Sequence, residues 1–411
     1  MAHNDQFQER NRLENSRLDR LIAETVSQVK SRFERRDEPR IVVSPYRMNP
    51  LGAHIDHQGG SVLARTIDQY SVLAFYPSDG PVVRLQCALP ELADTEVRMD
   101  LSHSLADQRP SELWGRYAWG AAQVSRNYNS TLVGFDAVVN GSLPGSGLSS
   151  SASVILAYLH AFFDVASEAP TREDFVEMAR QVENDYVGLA SGIQDQMSVI
   201  FGQRNSLSLL DMVSVSAKQI PNPPALDQWA WILCYSGFSR ELVSSGFNTR
   251  VSECCEAASL LDPAAKHLGQ VPEERRTAEL IAQLPETLQR RAAHVYSEMD
   301  RVQQGAQCWA AGDAGQFGEL MNQSCRSSIE LYECGSQPMI ELHKIALATD
   351  GIYGSRFGGG GYGGCLIVLA NANDIEGICS VMHRQFTSRY PEKRDVCKFF
   401  EAKAESHVRV L

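Results

Sequence analysis

The feature that most constrains this chain is a short run of glycines and serines at positions 144–152. It reads Pro-Gly-Ser-Gly-Leu-Ser-Ser-Ser-Ala and precedes an apolar helical segment. Glycines let a backbone turn tightly and approach a ligand closely, and the N–H groups at the start of the following helix favour an anion. Serine hydroxyls can bond phosphate oxygens or ligate Mg²⁺. The run therefore predicts a nucleotide phosphate site; the alternative is an ordinary loop that caps a helix.

Two well-known phosphate-binding patterns do not fit this sequence. The run does not end in Gly-Lys-Ser or Gly-Lys-Thr, so it is not a Walker A loop. The sequence also has no His-Arg-Asp or Asp-Phe-Gly triplet, which excludes the protein-kinase pattern.

Composition sets the class of protein. At 411 residues, 43% apolar and 21% charged, the chain is expected to be globular and to hold two domains. Its net charge of −12 argues against non-specific binding to nucleic acid or to an anionic membrane. It has no apolar run long enough to span a bilayer and no signal-like start. Ten cysteines without a CxxC pair suggest reduced thiols, and we expect a cytoplasmic location.

Hydrophobic patterning predicts a mixture of helices and strands. Apolar residues from Leu18 to Phe33 recur at helical spacing and predict a first amphipathic helix. The predicted strands cover 40–44, 69–76, 82–89, 134–139, 229–235 and 408–411. The other predicted helices cover 114–128, 172–187, 195–201, 247–261, 272–312, 317–325 and 374–390. We expect an α+β protein of two lobes, 1–203 and 204–411.

A first polar constellation lies at positions 45–60. It places Arg47, His54, Asp56 and His57 among turn residues. Such a loop can bind sugar hydroxyls, because Asp accepts paired hydrogen bonds and His can donate or accept. A metal site at the two histidines and the aspartate is one alternative. A merely structural loop with Arg47 as a strut is another.

A second constellation pairs Glu183 with Asp195 across a glycine-rich turn. Two acids placed in this way can have separate roles, in which one holds Mg²⁺ and the other faces a substrate hydroxyl. The alternative is a pair of acids on a surface turn.

A third constellation is the run from Gly354 to Gly364, which holds seven glycines and precedes a predicted strand. Such a run costs backbone entropy, so it is expected where backbone passes very close to another group. One possibility is that the group is a substrate or a phosphate. The other is that the run forms a tight turn packed against the other lobe.

These blocks, in this order, resemble the GHMP kinase superfamily from about residue 40 onwards. The first is similar to the galactokinase signature Gly-Arg-Val-Asn-Leu-Ile-Gly-Glu-His-Thr-Asp-Tyr-Asn-Gly-Gly. The segments around Trp114 and Tyr117 and around Asn248 to Cys254 also resemble galactokinases. The resemblance implies a two-lobed fold, with an N-terminal lobe like domain 2 of ribosomal protein S5 and a ferredoxin-like C-terminal lobe.

The resemblance also implies roles for single residues. Asp195 would face the anomeric hydroxyl of a sugar, with Arg47 paired to it. Glu183 and a serine among 149–151, with Ser150 favoured, would ligate Mg²⁺. The ATP phosphates would meet Gly145, Ser146, Gly147, Leu148, Ser149, Ser150 and Ser151. The third motif beside the active site would be Gly358, Gly359, Gly360 and Gly361. The sugar would meet Ala53, His54, Asp56, His57, Gly192 and Phe247.

The residues that differ from the galactokinase pattern are ones that the resemblance places at the sugar. Ala53 replaces the glutamate that holds the C6 hydroxyl in galactokinases, and His57 replaces a tyrosine. Two carboxylates about 4 Å apart repel by roughly 4 kcal/mol at an intermediate dielectric, so that glutamate would exclude a sugar acid. His57 adds a group that can become cationic. Phe247 stands where the family usually has a tyrosine that helps the sugar site.

The stretch 50–60 is similar to the galacturonokinase branch of the family. The resemblance therefore implies ATP-dependent phosphorylation of D-galacturonate at its anomeric hydroxyl. The expected partners of the C6 carboxylate are His57, Arg65 and Arg250. The alternatives are a galactokinase tolerant at C6, a glucuronate kinase, a non-catalytic sugar sensor and a metal hydrolase using His54, Asp56 and His57.

Overall fold

The computed structural model describes residues 2–411 except 93–94, 130, 144 and 239–245, with the backbone alone for 2–16. Pro144, which opens the Gly/Ser run, lies outside the described residues. The α-helices are α1 Ala2–Arg32, α2 Leu113–Tyr128, α3 Ser150–Ala166, α4 Arg172–Gln181, α5 Gln194–Phe201, α6 Phe247–Leu261, α7 Ala278–Ile281, α8 Glu286–Ala311, α9 Ala314–Glu330, α10 Gln337–Leu347 and α11 Ile375–Arg389. The strands are β1 Arg40–Leu51, β2 Val62–Pro77, β3 Val82–Cys87, β4 Glu96–Asp100, β5 Phe135–Gly141, β6 Ser206–Asp211, β7 Ser216–Pro221, β8 Trp229–Tyr235, β9 Ile352–Phe357, β10 Cys365–Asn371, β11 Lys398–Ala402 and β12 Arg409–Val410.

The first sheet is covered by helices on both faces. Its order is β12-β1-β2-β5-β3-β4, with β6 on β2 and β7 on β6, and all neighbours are antiparallel except β3 with β5. Alternate residues of β2 face opposite sides: Val72 packs on α1 residues such as Leu21, whereas Leu73 joins the main core with α3. The predicted amphipathic first helix is confirmed, and its apolar side covers the sheet.

The second sheet has the order β11-β8-β10-β9, all antiparallel, and α9, α10 and α11 pack against it. The predicted single helix over 272–312 is wrong. The chain instead forms the short α7 and then α8. Pro285, whose backbone is extended, stands immediately before the first residue of α8. A proline resists continuation of a preceding helix, and periodicity alone does not reveal such a break.

The α+β class is confirmed, with two sheets and helices around each. The division at residue 203 stays a prediction. Strand pairing continues the first sheet beyond it through β6 and β7, and β12 returns to pair with β1 through Val43 and Arg409. Among the described residues, no helix has the length and apolarity needed to cross a bilayer.

Candidate active site

A cavity of about 510 Å³ opens where the predicted motifs meet, between the two sheets with their helices. Most of the predicted site residues line it: Arg47, His54, Asp56, Gly145, Gly147, Ser149, Ser150, Ser151, Glu183, Gly192, Asp195, Phe247, Gly358, Gly359, Gly360 and Gly361. Four predicted residues are not part of this wall: Ala53, His57, Ser146 and Leu148.

Arg47 joins three of the motifs. It lies on β1 and is only 3% exposed. Its Nε donates to Asp195 Oδ1 at 2.8 Å. Its Nη1 donates to the carbonyl of Gly358 at 2.7 Å and to that of Gly147 at 3.3 Å. One buried guanidinium therefore fixes the carboxylate and both glycine loops around the cavity.

Asp195 stands in the first turn of α5, where the positive end of the helix favours an anion. Its second oxygen, Oδ2, accepts a hydrogen bond from the hydroxyl of Ser149. Ser149 has φ +58°, in the left-handed region, just before α3 begins. A non-glycine residue in that conformation stores strain, and such strain is concentrated at functional sites. Arg47 and Ser149 together hold the carboxylate in one orientation.

Glu183 lies on a π-helical turn, Val182–Val187, that follows α4. Its Oε1 accepts from the Ser151 hydroxyl at 2.9 Å, and its Oε2 accepts from Ser191 and from Gln196 at 2.9 and 2.8 Å. Burial and the charge of Asp195 raise the pKa of Glu183 to about 7. A carboxylate beside a hydroxyl is a donor set that Mg²⁺ takes, so these residues fit that ion.

The serine beside Glu183 is not the one the sequence favoured. The hydroxyl of Ser150 instead accepts the N–H of Gly145 at 3.2 Å, within its own loop. Successive residues of a helix point about 100° apart, so only one of two neighbours can face Glu183. The structure places Ser151 there.

His54 and Asp56, the residues predicted to contact a sugar, both line the cavity wall. His54, at φ +57°, stacks on Tyr332 with ring centroids 4.4 Å apart, and its Nε2 lies 3.2 Å from the thiol sulfur of Cys334. Burial, with the nearby charges of other histidines and an arginine, lowers the pKa of His54 well below its usual value, so the ring is neutral. Burial and Asp195 raise the pKa of Asp56 to about 6.

Gly192 lies against Asp56. A Cβ at this position would stand 2.3 Å from Asp56 Oδ2 and 2.7 Å from the backbone nitrogen of His57. No real Cβ tolerates such contacts, so the close packing of the two loops needs glycine here. Phe247 completes this side, with its ring edge-on to His57 at 5.8 Å.

Ala53 and His57 are buried and do not line the cavity wall. Ala53 is 2% exposed; its N–H donates to Glu298 Oε1 at 2.9 Å and its carbonyl accepts from His294 Nε2 at 2.9 Å. Burial lowers the pKa of His57 to about 3, and its Nε2 lies 3.1 Å from the Tyr332 hydroxyl. The expectation that His57 adds a cationic group is therefore wrong.

The two glycine loops pack directly on each other. The carbonyl of Ser146 accepts the N–H of Cys365 at 2.8 Å. Gly364, at φ +81°, passes so close that a Cβ would lie 2.2 Å from that carbonyl oxygen. Ser146 and Leu148 are thus buried in the loop's base, while Gly145 and Gly147 face the cavity. The glycines of the third motif therefore touch the other lobe and also line the cavity, whereas their closeness to a substrate or phosphate stays a prediction.

Among the lining residues that the sequence did not single out, two are buried polar residues on strands. Asn49, on β1, has both polar atoms of its amide buried and without a hydrogen-bond partner among the described residues. Arg356, on β9, is 4% exposed. A polar residue inside an otherwise apolar or glycine-rich strand was the available signal. The metal-site alternative gains no support, since no group of three potential ligands forms among the described side chains.

Comparisons with known proteins agree with this geometry. The family models described as "GHMP kinases N terminal domain" and "GHMP kinases C terminal" match residues 116–203 and 306–388. The "Galactokinase galactose-binding signature" matches residues 30–77.

Whole-length relatives are also found. A galacturonokinase of Arabidopsis thaliana is 35% identical over 392 residues, covering 90% of this chain and 92% of its own. The galactokinase of Homo sapiens is 32% identical over 361 residues, covering 86% and 90%. The crystal structure of Lactococcus lactis galactokinase complexed with galactose matches with a TM-score of 0.85 at 26% identity, covering 93% and 98%. The chain therefore belongs to the GHMP kinases, as a sugar kinase of the galactokinase and galacturonokinase type.

Proposed function

We propose that this sugar kinase transfers the γ-phosphoryl group of ATP to the anomeric hydroxyl of D-galacturonate, giving α-D-galacturonate 1-phosphate and ADP. The observation that carries the choice of a sugar acid is Ala53, where galactokinases hold a glutamate toward C6. Without that carboxylate, the sugar loop no longer repels a charged C6 group. The 35% identity to the Arabidopsis thaliana galacturonokinase supports the same choice.

The bond changes in this reaction are simple. The anomeric oxygen bonds to the γ-phosphorus, the bond from that phosphorus to the bridging oxygen breaks, and ADP leaves. The proton of the anomeric hydroxyl passes to Asp195 or is oriented by it. With Oδ1 held by Arg47 and Oδ2 by Ser149, Asp195 needs no reorientation as charge shifts.

A protein catalyses phosphoryl transfer chiefly by aligning the reacting groups and stabilising their charge. The N–H groups at the start of α3, behind Gly145 and Gly147, suit the phosphates of ATP. Glu183 and Ser151 would hold Mg²⁺, which neutralises phosphate charge when bound.

Galactokinase activity is the second candidate, favoured by the match of residues 30–77 to the galactose-binding signature. A coupled ADP-release assay with ATP and Mg²⁺ separates the two, using galacturonate, glucuronate, galactose and glucose at matched concentrations. Asp195→Ala supplies the background rate. Highest kcat/KM with galacturonate supports the proposal; highest kcat/KM with galactose or glucuronate contradicts it. No turnover of any sugar would favour a sugar sensor.

A further inference from the structure

A second cavity, of about 630 Å³, lies between α1 and β11, where the first sheet meets the second; we call it the α1–β11 cavity. Within the described part of the chain, its wall shares no residue with the wall of the active-site cavity. Binding sites for small molecules typically have volumes of about 300–1,000 Å³. The α1–β11 cavity is therefore large enough for a molecule of nucleotide size, and the kinase reaction does not use it.

The rim of this cavity carries three cations. Arg17 and Arg20 lie on α1 with Glu24, at spacings of three and four residues that place all three side chains on one face of the helix. Lys398 opens β11 on the opposite side of the cavity. Glu24 is the one acid among the described lining residues. In a protein with a net charge of −12, this local excess of positive charge favours an anionic ligand.

Two of the three cations have no protein partner. Arg17 pairs with Asp68 at 3.6 Å, and its guanidinium lies 5.5 Å from the centre of the Phe400 ring. Arg20 and Lys398 are exposed, and neither makes an ion pair or a side-chain hydrogen bond with any described residue. Arginine and lysine bind phosphate oxygens through charge-assisted hydrogen bonds. Arg20 and Lys398 are therefore available for the phosphate groups of a ligand.

The floor of the cavity suits the organic part of such a ligand. Leu21 and Leu143 are buried there, and Phe400 lies on the same side of β11 as Lys398, because alternate residues of a strand face the same way. The floor also holds the amide side chains of Gln69 and Asn140. Apolar surface beside amides can contact a ring that bears hydrogen-bonding groups, whereas an inorganic ion would contact the cations alone.

The cavity reaches the root of the phosphate loop of the active site. Ser142 and Leu143 line it, and the loop that carries Gly145 and Gly147 follows directly. Ser142 is fixed on β2, since its hydroxyl accepts the N–H of Tyr70 at 2.8 Å and its own N–H donates to the Tyr70 carbonyl at 3.0 Å. A ligand that contacts this root and β11 together therefore acts on the segment that the ATP phosphates are proposed to meet.

We propose that the α1–β11 cavity binds an organic phosphate of nucleotide size, with Arg20 and Lys398 on its phosphate groups, and that its occupancy changes the affinity for ATP. Two sites are coupled when one ligand has different affinities for the two states of the other site. The inference concerns a site outside the reaction, so it does not depend on which sugar is phosphorylated.

Binding is measured by calorimetry on the full chain, with the ATP site filled by adenylyl imidodiphosphate and Mg²⁺. UDP, CDP and GDP are titrated in turn, and uridine and inorganic phosphate serve as the two halves of the ligand. We expect at least one diphosphate to bind one per chain, at least about tenfold more tightly than uridine or inorganic phosphate. Absence of binding by all three diphosphates, or equally tight binding of inorganic phosphate, would overturn the proposal.

Variants locate the binding. Arg20→Gln combined with Lys398→Gln should weaken the diphosphate at least about tenfold. The matched control combines Arg98→Gln with Lys218→Gln, which removes two exposed cations on β4 and β7, away from the cavity, and should change the affinity less than about twofold. All four side chains are exposed, so both double variants should keep the wild-type melting temperature. Equal affinities in the two double variants would place the ligand elsewhere and overturn the proposal.

The coupling is measured as KM for ATP, with the sugar that the wild type uses best. Competition by the diphosphate at the ATP site raises this KM equally in the wild type and in the double variant at Arg20 and Lys398, so the difference between them isolates the cavity. Without diphosphate the two proteins should have the same kcat, because neither residue lines the active site. With saturating diphosphate their KM values should differ at least about fivefold, and equal values would overturn the coupling.

Discussion

Glu298 lies inside α8 at 0% exposure, and its carboxylate anchors the turn at Gly52 and Ala53, which follows β1. Its carboxylate accepts from the N–H groups of Gly52 and Ala53 at 2.8 and 2.9 Å and from the Ser324 hydroxyl at 2.6 Å. Arg301 Nε donates to its other oxygen at 2.6 Å. We predict that Glu298→Gln, which keeps the shape and removes the charge, destabilises the protein by about 3 kcal/mol at pH 7.

The magnitude follows from the ionisation of the carboxyl. Burial opposes its charge, but Arg301 and the nearby cations outweigh burial and lower the pKa from 4.5 to about 2. That difference corresponds to about 3 kcal/mol at 1.36 kcal/mol per unit. Because the folded pKa is the lower one, the contribution is complete above pH 4.5 and is lost as the pH falls toward 2. Wild type and Glu298→Gln should therefore converge in stability at low pH.

Urea unfolding at pH 7 measures this difference directly. The matched control is Glu177→Gln, which breaks the surface pair with Arg180, also 2.6 Å long, and should cost less than about 1 kcal/mol. A loss below about 1 kcal/mol for Glu298→Gln, or a loss equal to that of the control, would refute the assignment of Glu298 as the buried anchor of the turn at Gly52 and Ala53.

Three further predictions concern the reaction. Asp195→Ala should lower kcat at least about 10²-fold while ATP affinity, measured by calorimetry, stays within about threefold; a near-normal kcat would remove its role. Ala53→Glu should reduce kcat/KM for galacturonate far more than for galactose, with Ala53→Gln as the neutral match, and equal losses would contradict the charge argument. Since Glu183 has a pKa raised to about 7 and must lose its proton to ligate a cation, Mg²⁺ affinity should rise from pH 6 to pH 8. That slope should vanish in Glu183→Gln, and an unchanged slope would exclude Glu183 as the titrating group.

Local sequence carries enough information to predict the loops and the class of fold. Glycine and serine runs have few uses other than tight turns and close approach, so the start of α3 at Ser150 could be predicted from the run before it. The pairing of Arg47 with Asp195 joins residues 148 positions apart. It was accessible only through the resemblance, because no local pattern records which distant strand and helix meet.

The features of the site that the sequence could not predict depend on which way helices and side chains face in the packed structure. Whether Ser150 or Ser151 faces Glu183 is decided by how α3 is rotated on the first sheet. In the sequence Arg356 is one polar residue of a strand, and only the folded structure shows that it is buried in the cavity wall. Burial beside Tyr332 lowers the pKa of His57 to about 3 and keeps its ring neutral, whereas the unperturbed pKa would let the ring become cationic; this is an effect of tertiary environment alone.

The return of β12 to the first sheet has a consequence for synthesis on the ribosome. β7 ends at Pro221, and β12 begins at Arg409 after the whole second lobe. At roughly 5–20 residues per second, the intervening stretch of roughly 190 residues takes about 10–40 s to translate. During that interval the outer edge of β1 has no strand beside it, and an open edge is a template for pairing with another chain. Yield in a host cell therefore depends on what shields that edge, and slower elongation lengthens the exposure.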